Sequence, residues 1–219
     1  MGKFDHIIVI GAGGHAKVVV STLLAAGLNV SALYDDDPEK LGKEILGIRV
    51  AGALSELDGV IERPAIFGIG DNLTRKQLTN RFRNLDWVSV IHPDAYMHPS
   101  VSLGKGTVVF AGAVIQPDVV IGEHCIINSG ATVDHDCVLS DYVHIAPGVN
   151  LAGNVKIGEG VFFGIGGAAI IGINIGEWTV VGAGSIIIKN LPANIVAAGV
   201  PARVLKYKKD TKQKNNPEL

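Results

Sequence analysis

Residues 121–139 read IGEHCIINSGATVDHDCVL, and within them Ile121, Ile127, Val133 and Leu139 fall six apart. The spacing runs on in both directions. Ile91, Met97, Leu103, Val109 and Ile115 precede it, and Ile145, Leu151, Ile157, Phe163, Ala169, Ile175, Val181 and Ile187 follow. Every one is apolar, and only Ala169 is small. Four residues after these positions lies a second register of small or β-branched side chains, including Val101, Thr107, Ala113, Val119, Cys125, Ala131, Cys137, Val143, Val149, Val155 and Val161. Glycine recurs directly after the large aliphatic, at Gly104, Gly122, Gly158, Gly164, Gly176 and Gly182. An ordinary sheet would lose this register at turn clusters roughly every 8–12 residues. A period of six held from 91 to 187 is a repeat architecture and predicts a parallel β-helix. Each hexapeptide is then one short strand and one corner. The aliphatic and its small partner point inward, and glycine or polar residues sit where the chain bends.

The whole chain has 219 residues, 47% hydrophobic and 18% charged, enough for one large domain or two small ones. A net charge of −2 offers no basic surface for nucleic acid or a membrane. The 5% aromatic content against 28 glycines suits a thin solenoid with a narrow core. No apolar run is long enough for a membrane span, and residues 1–6 lack a signal-peptide pattern, so a cytoplasmic location is expected. Cys125 and Cys137, twelve residues apart, belong on different faces of the coil. They are expected to be reduced core residues rather than a disulfide.

Residues 1–88 follow another pattern and are expected to form a Rossmann-like α/β domain. Ile7–Ile10 is a buried-strand run, 17–26 a helix with Val18, Leu23 and Leu24 on one side, and Val30–Tyr34 a second strand. A further strand over 65–70 and a helix over 73–82 complete one βαβ unit with an added strand and helix. Between the first strand and helix, Gly11, Gly13 and Ala16 satisfy G-x-G-x-x-G/A, and Asp35 lies about twenty residues on, as in a dinucleotide site. A dinucleotide needs two such halves, and this domain supplies about one. A smaller diphosphate, such as the nucleotide part of a sugar nucleotide, fits better at the helix N-terminus, and a purely structural turn is the remaining reading. The β-helix is expected over 89–200, packed directly on the first domain without a linker. Residues 201–219 form a C-terminal segment whose tail, with five lysines from Lys206 onward, is expected to be solvated and partly disordered.

Within the repeat, Val133-Asp134-His135-Asp136-Cys137 sets a histidine between carboxylates. Histidine accepts a proton near neutral pH, and an acidic neighbour fixes its tautomer and raises its basicity. A solvated surface histidine is the plainer reading of those residues alone. His144, nine residues on, is expected to point out of the coil, toward a ligand or another subunit.

The repeat and the ending Gly199-Val200-Pro201-Ala202-Arg203 resemble the left-handed β-helix acyltransferases of the hexapeptide family. That resemblance implies three hexapeptides per coil, hence about five coils here, and homotrimers with active sites between subunits. The Gly-x-Gly-Gly-His turn, the Asp35-Asp36 pair, the segment Ile69-Gly70-Asp71-Asn72 and His135-Asp136-Cys137 narrow it further. Together, over residues 7–205, they are similar to the bacterial sugar-nucleotide N-acetyltransferases of the bacillosamine and perosamine pathways, with which sialic-acid O-acetyltransferases share a layout. The resemblance implies acetyl-CoA as co-substrate, a nucleotide-linked 4-amino-4,6-dideoxy sugar as acceptor, and no metal. His135 becomes the general base, Asp136 the residue that raises its basicity, and Asp134 an assisting carboxylate. His144, Gly153, Ile165 and Ala183 match positions lining the acetyl-CoA groove, with Ala183 a departure if close approach there needs glycine. Gly153, eighteen residues after His135, is expected one coil away with a free N–H for an oxyanion. Gly13, Gly14, His15, Asp35, Asp36 and Gly70 match the nucleotide-sugar site, though His15 equally suits a helix start with no ligand role. Direct transfer is expected, since neither cysteine is placed to carry an acyl group. Three rival readings remain. One is an O-acetyltransferase acting on sialic acid or another hydroxyl. Another is a γ-type carbonic anhydrase with zinc on His124, His135 and His144, although its His-x4-His pair is absent. The third is a non-catalytic sugar-nucleotide-binding protein.

Overall fold

The computed structural model describes residues 6–208. The lysine-rich tail expected after them falls, from residue 209, outside the described residues. In the N-terminal part, β1 (Ile7–Ile10) is buried at all four positions. It pairs in parallel with β2 (Val30–Tyr34) on one side and with β5 (Pro64–Phe67) on the other. Joining two parallel strands requires a crossover, which α1 (Gly14–Ala25) supplies between β1 and β2. Its buried stripe is Ala16, Val19, Val20 and Leu23, the i, i+3, i+4, i+7 face. Val18 and Leu24, expected with Leu23 on the packed side, are exposed, because the helix starts at Gly14 and the stripe follows Ala16.

The sheet is wider than the sequence pattern indicates. β3 (Glu44–Ile45) and β4 (Ile48–Gly52) form an antiparallel hairpin turned by Leu46 and Gly47, both at positive φ, the backbone of a type I′ turn. β4 then extends the sheet in parallel beyond β2. On the far edge β6 (Asp86–Trp87) pairs with β5, giving the order β3-β4-β2-β1-β5-β6. After β5 the chain turns through Gly68, where a Cβ would lie 2.7 Å from the Cβ of Ala16. α2 (Asn72–Arg81) follows, capped by the Asp71 carboxylate accepting the Thr74 N–H at 2.8 Å.

From β7 (Val90–Ile91) to β23 (Ile186–Ile187) the chain makes a two-residue strand every six residues. Each pairs in parallel with the strand three further on, for instance Thr132 with Asn150 and Ile127 with Ile145, so one coil takes eighteen residues. The strands therefore stack into three flat sheets. The large aliphatics and the small residues of the second register together form one continuous core running up the inside, in which Ile145, Phe163 and Val181 are all at 0% exposure. Burial of each large aliphatic or aromatic supplies roughly 1.5–3 kcal/mol. Cys125 and Cys137 are free thiols of this core, on different sides of the coil. The ladder ends in an antiparallel hairpin of β24 (Ile195–Gly199) and β25 (Ala202–Tyr207). Lys206 and Tyr207, which sequence composition assigns to the loose tail, are thus paired strand residues.

Glycine has two separate uses in the coil, which the sequence pattern merges. The residue three after each aliphatic takes a left-handed conformation through most of the repeat, at Gly106, Gly112, Asp118, His124, Gly130, Asp136, Tyr142, Gly148, Asn154, Gly160, Gly166, Gly172, Trp178 and Gly184. That is where the chain bends. The glycines one after the aliphatic have ordinary φ and answer a spatial limit instead. A Cβ on Gly158 would sit 2.6 Å from the Glu177 backbone nitrogen of the next coil.

The two parts share a core. Val88, Val90, Val108, Phe110 and Ile126 of the first coils pack with Ile7, Val9, Ala16, Val19 and Val20 of the N-terminal sheet and helix. Polar groups then lock the junction. Arg75 of α2, 1% exposed, donates from Nε to the His124 carbonyl (3.0 Å) and from Nη2 to that of Tyr142 (3.0 Å), two corners of successive coils. Asn72 donates from Nδ2 to the carbonyls of Gly160 and Val161 one coil higher.

Replacing Gly158 by Ala forces two backbones apart, and overpacking of this kind costs about 1–3 kcal/mol. A lowered thermal midpoint is expected for the purified variant. An unchanged midpoint would show that the coils separate freely and would overturn the stacking account.

Candidate active site

His135 sits on a corner of the coil directly after β14 (Thr132–Val133). The next residue, Asp136, holds one of the left-handed corner positions at φ 60°. A non-glycine residue there costs roughly 1–2 kcal/mol, and the geometry turns the Asp136 carboxylate back onto its neighbour. Oδ2 lies 2.7 Å from His135 Nδ1, while Asp134 Oδ1 accepts the His135 backbone N–H at 2.8 Å. The side chains of His135 and Asp136 are 49% and 52% exposed. The Asp136 hydrogen bond, with the charges of Asp134 and Asp136, raises the His135 pKa above its ordinary value and outweighs the opposing effect of desolvation. This leaves Nε2 as the outward base. Gly153 lies one coil on, and a Cβ there would come within 2.6 Å of His135 Cε1 and 2.7 Å of Nε2. The ring lies over that glycine, whose N–H donates to no group among the described residues.

A second region is an apolar cavity of ≈ 290 Å³ on the outer face of the coil, walled by Ala146, Pro147, Phe162, Ile165, Val180 and Ala183 with Asn128 and His144 as its polar members. Three residues expected to share a groove, His144, Ile165 and Ala183, are therefore brought together. Gly153 is not in this wall and belongs to the His135 corner. His144, on β16 (His144–Ile145), points out of the coil as expected, but the group that meets it is this chain's own N-terminal domain, and it is buried. Its Nδ1 donates to the Gly70 carbonyl at 3.2 Å, and its ring stands 6.0 Å from that of His15. Burial and then the nearby Arg75 charge drive its pKa down to about 3, so it stays neutral. Sequence reasoning did not single out Asn128, whose Nδ2 lies 3.2 Å from His144 Nε2. The six-residue pattern places it only as a polar residue after Ile127.

Among the N-terminal candidates, Asp35 ties the glycine turn together. Its Oδ2 accepts the Ala12 N–H (2.6 Å), its Oδ1 accepts that of Asp37 (3.0 Å), and Lys40 Nζ lies 3.0–3.1 Å from both oxygens. Partial burial opposes ionisation, but the Asp37, Ala12 and Lys40 bonds outweigh it and hold the Asp35 pKa below its usual value. Asp36 turns the other way and accepts the Leu54 N–H at 2.8 Å. Gly13 and Gly14 have open space where a Cβ would stand, which exposes the α1 N-terminus. His15 points inward against Phe110 and His144, and its Nε2 is buried without a partner among the described residues. Gly70 lines a further cavity of ≈ 370 Å³ with Asp71, Phe162, Trp178 and Lys208. The three histidines of the zinc reading lie in different surroundings, His135 on Asp136, His144 on Gly70, and His124 stacked between Phe67, Trp87 and Tyr142. Burial raises the Cys125 and Cys137 thiols to about 12 and about 11, far from a nucleophilic thiolate.

Residues 6–82 match the PglD N-terminal domain, residues 100–135 the bacterial transferase hexapeptide (six repeats), and residues 154–189 the hexapeptide repeat of succinyl-transferase. Across nearly the full chain, the fold coincides with that of PerB from Caulobacter crescentus in complex with CoA and GDP-perosamine. The identity is 41%, the TM-score 0.86, and the match covers 92% of this chain and 97% of that one. This is a PglD-type sugar-nucleotide N-acetyltransferase family member. The acetyltransferase domain of PglB from Neisseria gonorrhoeae FA1090, in complex with acetyl coenzyme A, is 36% identical with a TM-score of 0.87 over 92% of this chain and 100% of that one. UDP-N-acetylbacillosamine N-acetyltransferase of Bacillus subtilis is 40% identical over 112 residues, 48% of this chain and 51% of that protein. Uncharacterized protein L142 of Acanthamoeba polyphaga mimivirus is 33% identical over 104 residues, 21% of its length. The chain thus spans about half or less of the curated relatives it matches.

Two measurements check the electrostatics of this family member. In an NMR titration the His135 imidazole is expected to protonate above the ordinary histidine midpoint, and Asp136→Asn to bring that midpoint down; no response to the substitution would remove Asp136 as the cause. His15, His124 and His144, held by burial and then Arg75 to about 4, 4 and 3, behave oppositely. Below the ordinary value of 6.5 the unfolded chain binds protons on them that the folded chain refuses. Folding stability is therefore full above that value and falls as pH drops toward 4, each histidine adding up to about 1.4 kcal/mol per pH unit. Denaturant unfolding at a series of pH values reads the slope, and a stability flat from pH 6.5 to 4.5 would contradict the buried neutral histidines.

Proposed function

We propose that this chain is an acetyl-CoA-dependent N-acetyltransferase acting on the amine of a nucleotide-linked 4-amino-4,6-dideoxy sugar. The observation that carries the reading is the His135–Asp136 pair, its Nε2 open to solvent beside an unpaired Gly153 N–H, in a chain alike from end to end to enzymes of that class. In this reading His135 is the general base. It takes a proton from the sugar amine as nitrogen bonds to the acetyl carbon, and the carbon–sulfur bond then breaks as His135 returns that proton to the sulfur, so that coenzyme A leaves as thiol. Asp136 stabilises the imidazolium that forms, and Asp134 adds negative charge on the other side. The Gly153 N–H donates to the oxygen as it gains charge.

The apolar cavity suits an acetyl-CoA arm, since its walls are mostly aliphatic and aromatic, with Asn128 and His144 its polar side chains. His144, neutral to about pH 3, serves there as a fixed polar wall and not as a base. The open α1 N-terminus at Gly13 and Gly14 takes the diphosphate, with His15, Asp35, Asp36 and Gly70 around the nucleotide sugar. Ile165 and the outer valines Val120 and Val138 are exposed apolar residues. In a homotrimer, one subunit's cavity and its neighbour's His135 corner would face each other across such surfaces. Among the described residues no helix is long and apolar enough to cross a membrane. With the buried free cysteines, this favours a cytoplasmic enzyme.

The test follows coenzyme A release with a thiol reagent, using acetyl-CoA and a panel of UDP-, GDP- and dTDP-linked 4-amino-4,6-dideoxy sugars, with sialic acid alongside. Release with one amino sugar is expected. His135→Ala should reduce kcat by about 10²–10⁴-fold, and near-normal turnover would remove His135 from its role. Release with sialic acid alone would replace the reading by O-acetylation.

A further inference from the structure

The Arg75 guanidinium does more than join the two domains. Besides its bonds to the His124 and Tyr142 carbonyls, its Nη1 donates to the carbonyls of Gly70 (2.9 Å) and Ile69 (3.3 Å). Its cation is thus spread over four carbonyl oxygens, with no carboxylate in bonding distance among the described residues. The Gly70 oxygen is shared, because His144 Nδ1 lies 3.2 Å from it. On the other side of that imidazole, Nε2 faces Asn128 Nδ2. The Asn128 amide has a defined orientation, since its Oδ1 accepts the Ser129 N–H at 2.9 Å and this turns the NH₂ toward His144. A ring nitrogen that receives an N–H is unprotonated, so His144 carries its proton on Nδ1 and gives it to Gly70.

We infer that Arg75 is a positioning residue for acetyl transfer: by clamping the Gly70 carbonyl it fixes the ring orientation and tautomer of His144, and so shapes the wall of the cavity from the N-terminal domain. The inference rests on the reading of that cavity as the acetyl-CoA slot. It also links the two halves of the reaction physically. The loop that bears Gly70 lies against His15, with the His15 ring 3.7 Å from where a Gly70 Cβ would stand. Docking of the sugar-nucleotide half therefore completes the acyl half. Lysine cannot replace the fork, since one ammonium cannot reach carbonyls from two coils and a loop at once.

The test uses the full chain as Arg75→Lys, which keeps the charge and removes the fork. Long-range ¹⁵N spectra of histidine-labelled protein report the His144 tautomer, the signal being assigned by its loss in His144→Gln. Wild type is expected to show protonated Nδ1 and bare Nε2, and Arg75→Lys an average of both tautomers with kcat lowered about ten- to a hundredfold. Wild-type kinetics in Arg75→Lys, or slowed kinetics with an unaltered His144 signal, would overturn the inference. The second result would leave Arg75 only a stabilising role. Should the lysine variant fail to fold, Asn128→Ala reads the same chain of bonds from its other end. Persistence of the Nδ1–H tautomer there supports the Gly70 clamp, and a change to Nε2–H overturns it. The spectra need no substrate, so a wild-type protein silent in the coenzyme A assay would count against the proposed reaction while the tautomer result stands separately.

Discussion

Eighteen residues per coil is the constraint on which the rest depends. It puts residue i beside i+18 at the strand spacing of about 4.8 Å, so any choice made at one corner is felt by the corners above and below. Gly158 against Glu177 and Gly164 against Ala183 are the steric side of this rule. His135 over Gly153 is its chemical side. A bulky residue at 153 would meet the imidazole directly, so the space that seats the ring depends on the missing side chain. The geometry of the His135 corner is thus a by-product of stacking.

The second dependence is the junction. A thin solenoid has almost no interior beyond its own axis, so burying a polar side chain on its outer face needs cover from outside the coil. The N-terminal domain supplies the shield. Its sheet and α1 continue the apolar core onto the first coils, and α2 lays Arg75 and Asn72 across three coils. A guanidinium buried without a carboxylate is costly unless its donors are satisfied, and bonds from four of its five N–H groups to four carbonyls meet most of that need. Burial lowers the Arg75 pKa to about 10, which still leaves it charged at neutral pH. Its charge then acts on every imidazole nearby.

How far the sequence carries follows from the range of the interactions involved. The β-helix is legible because its period is local. Ile121, Ile127 and Val133 announce it within a dozen residues, and His135 with Asp136 and Gly153 follows from counting coils. What the pattern merges is the reason for each glycine, since Gly158 and Gly160 read alike although one answers a neighbouring backbone and the other a left-handed turn. The β3–β4 hairpin escapes because Leu46-Gly47 is a weak turn signal beside Asn-Gly or Asp-Gly. Arg75, Asn72 and Asn128 escape for a stronger reason. Arg75 lies in an ordinary polar helix and bonds to residues 49 and 67 positions away, and nothing in α2 alone separates it from the solvated Arg81. His144 was placed outward correctly by phase, yet phase is silent on which surface would cover it.

The histidines show what that covering does. His135 and His144 are nine residues apart in the same repeat, one after β14 and one on β16, strands of different sheets of the coil, and an isolated imidazole of either would titrate alike. At the open corner, the carboxylate of the next residue favours the imidazolium, and water remains to solvate it. Under the N-terminal domain, the same ring loses its water, faces a fixed guanidinium, and has both nitrogens already committed to Gly70 and Asn128. One ring is therefore prepared to accept a proton during a reaction, and the other is prevented from doing so across the physiological range. On the proposed reading, a second base beside the thioester would compete for the proton or leave a charge in an apolar slot. Keeping His144 neutral avoids both, and what keeps it so is burial under the N-terminal domain, with the Arg75 charge second. On the reading proposed above, the acceptor-binding and acyl-binding halves are in this way coupled by electrostatics and hydrogen bonding through a single carbonyl, that of Gly70.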